Sequence, residues 1–257
     1  MSIRPEFVDL ARRLTQVSRP ILRRYYRQKL DIISKADESP VTQADKECES
    51  ALRETIAATF PDHGIIGEEY GSERADAEYV WVLDPLDGTR SFVTGRPMFG
   101  TLIALNRGGK PVLGVIDMPI LDDLWLGIAG QPSTLNGKPI KSRACAALAE
   151  AYLSTISPQA FDAATFPRFE KLRVQAKSTS YGGDCYQYGM VATGFIDLVV
   201  ERGLGIYDYL ALVPVIEGAG GVIADWQGKA LTMASQGEVI AAGDRRMLDA
   251  AVHVLNG

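Results

Sequence analysis

The chain has 257 residues, 46% hydrophobic and 23% charged, with 27 basic against 32 acidic residues for a net charge of −5. This is enough sequence for one large domain or two small ones without a disulfide or metal staple, and it argues against disorder and against non-specific nucleic-acid binding. His63 and His253 are too few for a multi-histidine centre, and Cys48, Cys145 and Cys185 form no CxxC pair, so a metal site must be built mostly from carboxylates.

Met1–Ile3 runs into Arg4 and Glu6 with no apolar signal region, and no run approaches the roughly 20 apolar residues of a membrane span. A soluble, cytoplasmic protein with reduced thiols is the expectation. Phe7, Leu10, Ala11, Leu14, Val17, Ile21, Leu22 and Tyr25 recur at helical spacing, predicting one or two amphipathic helices around Pro20. Arg12, Arg13, Arg19, Arg23, Arg24 and Arg27 read as the solvated face of that helix, or alternatively as an anion or partner surface. Ser39-Pro40-Val41-Thr42 breaks the pattern, and a second helix runs from Asp45 to Phe60, ended by Pro61. Ile65-Ile66 and Tyr79–Leu83 read as buried strands. Phe99–Leu105 and Val112–Met118 flank Gly108-Gly109 as a hairpin, and Trp125–Ile128 is a further strand closed by the Asn136-Gly137 turn.

Beyond a seam at Asn136–Arg143, Ala151–Ile156 carries strand signals and Phe161–Leu172 helical ones. Cys185–Thr193 reads as helix, Ile196–Glu201 as strand, Tyr207–Ala219 as one helix despite Pro214, Val222–Trp226 as strand and Arg245–Leu255 as the last helix. Helices and strands alternate without a strict βαβ rhythm, so a layered α/β or α+β architecture fits better than a Rossmann fold or a TIM barrel. No G-x-G-x-x-G or P-loop pattern occurs.

The chemistry concentrates in acids at strand ends. Asp84-Pro85-Leu86-Asp87-Gly88-Thr89 leaves the apolar run Tyr79–Leu83 with two carboxylates three residues apart. Pro85 fixes φ, Gly88 lets backbone approach a ligand, and the following N–H groups can receive an anion. Hard oxygen ligands beside N–H donors suit Mg²⁺ and phosphate together; a solvated Asx turn is the plainer alternative. Glu68 and Glu69 follow another apolar strand, where they need a cation or a surface position. Asp208, between Tyr207 and Tyr209, is readable as a helix N-cap.

Taken in order, Val41-Thr42-Gln43-Ala44-Asp45, Gly67-Glu68-Glu69, Asp84–Thr89, Tyr207-Asp208 and Glu217-Gly-Ala-Gly-Gly221 resemble the motifs of the inositol monophosphatase-like family over nearly the whole chain. The resemblance implies an αβαβα sandwich of the inositol monophosphatase and fructose-1,6-bisphosphatase type. Residues 1–140 would form an N-terminal half carrying most metal ligands, and 141–257 a C-terminal half completing the pocket. It further implies a Mg²⁺-dependent phosphomonoesterase, usually a homodimer, with two or three ions per active site. By that resemblance Glu68, Asp84 and the Leu86 carbonyl would bind one ion, and Asp84, Asp87 and Asp208 a second, with Glu68 sharing a weaker third. Thr89, hydrogen-bonded to Asp45, would help Glu68 activate the attacking water, and the Gly88 and Thr89 N–H groups would hold phosphate.

Within the family the finer resemblance is to the histidinol-phosphate phosphatases, carried by Arg90, Gly95–Thr101, Tyr181-Gly-Gly-Asp-Cys-Tyr186 and Tyr207-Asp-Tyr-Leu-Ala-Leu-Val-Pro-Val215. Asp184 stands where inositol phosphatases tend to have a small neutral residue, and Glu201 matches the family acid that contacts the leaving group. The implied substrate is L-histidinol phosphate, in histidine synthesis; the alternatives are inositol 1-phosphate or broad sugar-phosphate hydrolysis, and an idle dimeric binding or regulatory protein. Asp184 could equally cap the helix near Cys185, and Arg90 could face phosphate, a neighbouring acid or solvent.

Overall fold

A computed structural model describes residues 3–28 and 43–257, together with the backbone of 33–34 and 40–41, so Thr42 and the side chain of Val41 lie outside the described residues. Helix α1 (Pro5–Tyr25) is continuous through Pro20, and Pro5 opens it where a missing N–H costs nothing. Strands β1 (Ile33–Ser34) and β2 (Pro40–Val41) pair antiparallel ahead of α2 (Gln43–Thr59), which packs on α1. The arginines of α1 are not merely a solvated face. Arg19 Nε donates to both oxygens of the fully buried Asp117 (2.9 and 3.0 Å), and Arg23 Nε to the Pro119 carbonyl (2.7 Å), tying the helix to the sheet below.

That sheet has eight strands: β3 (Gly64–Gly67), β4 (Gly71–Glu73), β5 (Tyr79–Asp87), β6 (Gly100–Arg107), β7 (Lys110–Met118), β8 (Asp123–Ile128), β9 (Thr134–Leu135) and β10 (Lys138–Pro139). A short helix, α3 (Thr89–Val93), follows β5. The order is β10-β9-β8-β7-β6-β5-β3-β4, with β3 parallel to β5 and its other pairs antiparallel. Gly108 and Gly109, both at positive φ, close the β6–β7 hairpin as their sequence signals. Asn136-Gly137 does form a turn, but one that joins β9 to β10, two strands the sequence reading lacks.

The second sheet contains β11 (Tyr152–Thr155), β12 (Ser178–Tyr181), β13 (Leu198–Glu201), β14 (Val222–Ala224) and β15 (Val239–Ala242), in the order β12-β11-β13-β15-β14. Between them lie α4 (Phe166–Arg173), α5 (Asp184–Ala192), α6 (Ile206–Tyr209) and α7 (Leu212–Gly218), and α8 (Arg245–Asn256) ends the chain. Two expected helices differ. Phe161 precedes α4 and stacks on Phe169 at 4.3 Å, and the expected Tyr207–Ala219 helix is broken into α6 and α7.

Alternation along the strands builds the layers. Trp81, Leu83, Ile103, Leu105, Leu113 and Val115 face α1 and α2, while Val80, Val82, Leu102, Ala104 and Ile116 face α5, α6 and α7. The far side of this central helical layer rests on Val199, Ile223, Val239 and Ala241, and the opposite face of the second sheet is covered by α4 and α8 through Phe169, Met247 and Leu248. The result is an αβαβα sandwich. No helix among the described residues is long and apolar enough to cross a membrane.

The central layer sits close because Gly114 and Gly127 are paired across β7 and β8. A Cβ at Gly114 would lie 1.9 Å from the Ala211 carbonyl oxygen, and one at Gly127 2.3 Å from the Val215 nitrogen. Backbone cannot yield as a flexible side chain can, so Gly127→Ala is expected to cost about 1–3 kcal/mol. Urea denaturation checks this as a lower midpoint at unchanged m-value; an unchanged midpoint contradicts it.

Candidate active site

Three chain segments meet at the carboxyl end of β5. Its pairing with β6 shifts between Asp84 and Asp87, where Asp84 faces Leu102 and Asp87 faces Gly100, so Pro85 and Leu86 bulge out of the ladder. The bulge is pinned from behind by the Thr101 hydroxyl, which donates to the Pro85 carbonyl (3.0 Å). Asp84, 1% exposed, accepts the Leu86 N–H (2.9 Å), which fixes its carboxylate. Parallel pairing of Gly67 with Leu83 brings Glu68 alongside Asp84. Asp208 comes from α6 and accepts the Gly205 N–H (2.6 Å). Asp87 accepts the N–H of Cys185 (2.6 Å) from the first turn of α5.

Oxygens of Asp84, Asp87 and Asp208 lie within 4.8 Å of one another. Burial, then the charges of Glu68, Asp87 and Asp208, push Asp84 well above the usual aspartate range, and burial with the charges of Asp184 and Asp208 does the same to Asp87. Asp208 is raised to about 7, chiefly by burial and further by Glu68 and Glu201. These hard oxygen donors crowd together, Asp84 hydrogen-bonded to Asp208, in the donor chemistry of a divalent cation such as Mg²⁺. The residues present therefore fit the metal that the motifs imply.

A cavity of about 490 Å³ opens beside the cluster and is lined by Asp87, Gly88, Thr89, Arg90, Asp184, Glu201 and Asp208, together with Ser91, Arg96 and Tyr188. Gly88 adopts φ 82°, and a Cβ there would lie 2.8 Å from both Asp184 Cγ and the Met98 carbonyl oxygen, so glycine is required twice over. The Thr89 hydroxyl donates to the Leu86 carbonyl (3.1 Å); its single proton is therefore directed there and not to Asp45, as the sequence reading had it. Asp45 is buried in the first turn of α2 and acts on Asp84 through its charge.

Asp184 accepts the Ser91 hydroxyl (2.7 Å); burial raises its pKa, opposed by that bond and by the charges of Arg96 and Arg90. Glu201 is 3% exposed and accepts from the Ile156 N–H (2.8 Å), Gln187 Nε2 (2.8 Å) and the Tyr188 hydroxyl (2.7 Å). Glu201 thus braces α5 and β13 as well as lining the cavity. Arg96, Ser91 and the Cys185 N–H were not singled out from sequence. Arg96 sits within the Gly95–Thr101 stretch, but its approach to Asp184 depends on a fold that sequence spacing does not reveal. His63 belongs to the core: it stacks on Phe60 at 4.5 Å and accepts from Trp81 Nε1 (3.1 Å).

A carboxylate cluster at the strand ends of a five-layer sandwich, beside a glycine turn, fits a metal-dependent phosphatase. The chain matches the inositol monophosphatase family over residues 4–256 and belongs to that family. It is 48% identical over 247 residues to the chloroplastic bifunctional phosphatase IMPL2 of Arabidopsis thaliana, covering 93% of this chain and 71% of that one. It is 35% identical over 219 residues to the histidinol-phosphatase of Chlorobaculum parvum, covering 84% and 83%. The solved structure of an inositol monophosphatase from Zymomonas mobilis superposes with a TM-score of 0.92 at 46% identity, covering all of both chains.

A raised carboxyl pKa means that the folded state holds a proton the unfolded chain releases, so the cost of ionising Asp208 is full above about pH 7 and fades as pH falls towards about 4. In metal-free protein, Asp208→Asn should be more stable than wild type by roughly 2 kcal/mol at about pH 8. The gap should narrow as pH falls. Chemical denaturation in EDTA across that range measures it, and a gap that is absent or widens on acidification refutes the electrostatic account.

Proposed function

We propose that this chain is a Mg²⁺-dependent phosphatase that hydrolyses L-histidinol phosphate to L-histidinol and phosphate in histidine synthesis. Asp184 carries the reading: an additional carboxylate, held by Ser91, lines the same cavity as Asp87 and Asp208. Histidinol has an amine and an imidazole, and a carboxylate favours their protonated forms. Inositol offers only hydroxyls, whose hydrogen bonds to another buried carboxylate return less of its desolvation cost than a cation would. The similarity to the Chlorobaculum histidinol-phosphatase supports the same choice. Arg90 and Arg96 favour a second reading, inositol 1-phosphate or another sugar phosphate, because their donors suit a hydroxyl-rich leaving group, and the Zymomonas relative points the same way.

Under this proposal Glu68, Asp84, Asp87, Asp208 and the Leu86 carbonyl hold the ions. Mg²⁺ bound there lowers the pKa of the attacking water and neutralises charge on the phosphoryl oxygens. Gly88 and Thr89 present backbone N–H groups to the phosphate. Glu68 takes the water's proton, and Thr89, its own proton engaged by the Leu86 carbonyl, offers that water an acceptor. Asp184 and Glu201 receive the leaving group.

The test is kcat/KM on the two esters with Mg²⁺: histidinol phosphate should exceed inositol 1-phosphate by at least about tenfold, as one charge-assisted contact allows. Parity or reversal sinks the narrower claim, and no phosphate release from any monoester revives the idle binding protein. Asp84→Asn should abolish turnover. Asp184→Ala should mainly shrink the ratio between the two esters, and an unchanged ratio removes Asp184 from substrate recognition.

A further inference from the structure

We propose that Glu49 is a positioning residue for Glu68, an inference that rests on the reading of Glu68 as a metal ligand. Glu49 is wholly buried in α2, one turn after the buried Asp45 and beside the apolar Cys48, Leu52 and Ile56, where packing alone gives no reason for a carboxylate. Its bonds go to the tip of the β3–β4 hairpin, the two-strand unit that carries Glu68. Oε2 accepts the N–H of Glu69 (2.7 Å) and Oε1 the N–H of Tyr70 (3.1 Å). Arg53 Nε donates to the same Oε1 (2.7 Å), and its Nη2 donates to the Gly71 carbonyl across the tip. The two side chains grip residues 69–71 from one helix face.

Gly67 makes the approach possible. A Cβ there would stand 2.0 Å from Glu49 Oε1, so the carboxylate reaches backbone only because residue 67 has no side chain. The strand beyond the tip, Gly71–Glu73, is a fully exposed three-residue edge and a weak anchor by itself. A buried carboxylate is tolerated when it is fully hydrogen-bonded, and three donors meet that condition here. Glu49 does not line the cavity, so its effect passes through the backbone that aims Glu68. Groups that orient metal ligands in this way change metal affinity by about 10–100-fold when removed.

The experiment titrates Mn²⁺ into EDTA-stripped protein by electron paramagnetic resonance, alongside kcat and KM with Mg²⁺. Glu49→Ala should weaken Mn²⁺ binding about tenfold and lower kcat with KM for the ester little changed. Glu49→Gln keeps the shape and one good acceptor, which makes it the gentler variant, and it should lose about threefold. Arg143→Ala, which breaks an ion pair to Asp197 in the other half of the chain, should lower Tm but leave Mn²⁺ affinity alone. Wild-type affinity in folded Glu49→Ala or, should that variant not fold, in Glu49→Gln overturns the proposal, as does equal weakening in Arg143→Ala. Glu68→Gln separates the two layers of argument. If it binds Mn²⁺ as wild type does, the reading of Glu68 as a ligand falls and takes this proposal with it; if only Glu68→Gln is impaired, the ligand stands and the positioning role falls.

Discussion

The structure is organised around like charges held where they repel. Within the 4.8 Å that encloses one oxygen each of Asp84, Asp87 and Asp208, two ionised carboxylates at an effective dielectric constant of about 20 repel by roughly 3 kcal/mol or more. Three such pairs exceed what three hydrogen bonds to charged groups return, at about 1.5–3 kcal/mol each. Backbone donors therefore cannot neutralise the cluster and instead orient it. The N–H groups of Leu86, Cys185 and Gly205 each hold one aspartate, leaving the remaining lone pairs for a cation. The αβαβα scaffold supplies the rigidity that the repulsion demands, since the three acids come from β5 and α6 and their donors from β5, α5 and the residue preceding α6.

Helix α5 joins metal chemistry to leaving-group chemistry. The Cys185 N–H in its first turn holds Asp87, Asp184 at its start lines the cavity, and Gln187 and Tyr188 hold Glu201. Gly189 in the same helix sits so close to Trp125 of β8 that a Cβ would lie 2.7 Å from the indole. A shift of α5 thus moves a metal-cluster acid and two pocket acids together. Helix α5 therefore links the placement of the metal cluster to that of the pocket wall.

What the sequence reveals follows from where each signal originates. Strand β5 is legible because Val80–Leu83 is buried on both faces and reads as a continuous apolar run, and Gly108-Gly109 is legible because positive φ at two successive positions restricts the residue type. Strand β12, Ser178–Tyr181, is a polar edge with no alternation to detect, and β15, Val239–Ala242, is only four residues long. The break between α6 and α7 falls at Leu210 and Ala211, one turn before Pro214, which has no N–H to give the Leu210 carbonyl and whose ring crowds it. At the site, the acids of the cluster were visible as residue types at strand ends, but their bonds were not. Thr89 turns to Leu86, Arg96 approaches Asp184, and Glu49 meets Glu69 and Tyr70 only once β3 lies beside α2.

Backbone strain at Asp184 bears on why a carboxylate stands there. Its φ is 42°, in the left-handed region that costs a residue with a side chain about 1–2 kcal/mol and that glycine adopts freely. The conformation serves the next peptide unit, which must aim the Cys185 N–H at Asp87. Glycine would satisfy that demand without strain, and Gly182 and Gly183 just before it show that this turn already accepts glycine. A strained aspartate is nevertheless the residue present, its side chain bonded to Ser91 and directed along the cavity wall against Gly88. Bonding to Ser91 and the charges of Arg96 and Arg90 offset part of the combined cost of strain and burial. Arg96 and Arg90 already place positive charge near this carboxylate, and under the proposed function a cationic group on the leaving alcohol would add to it.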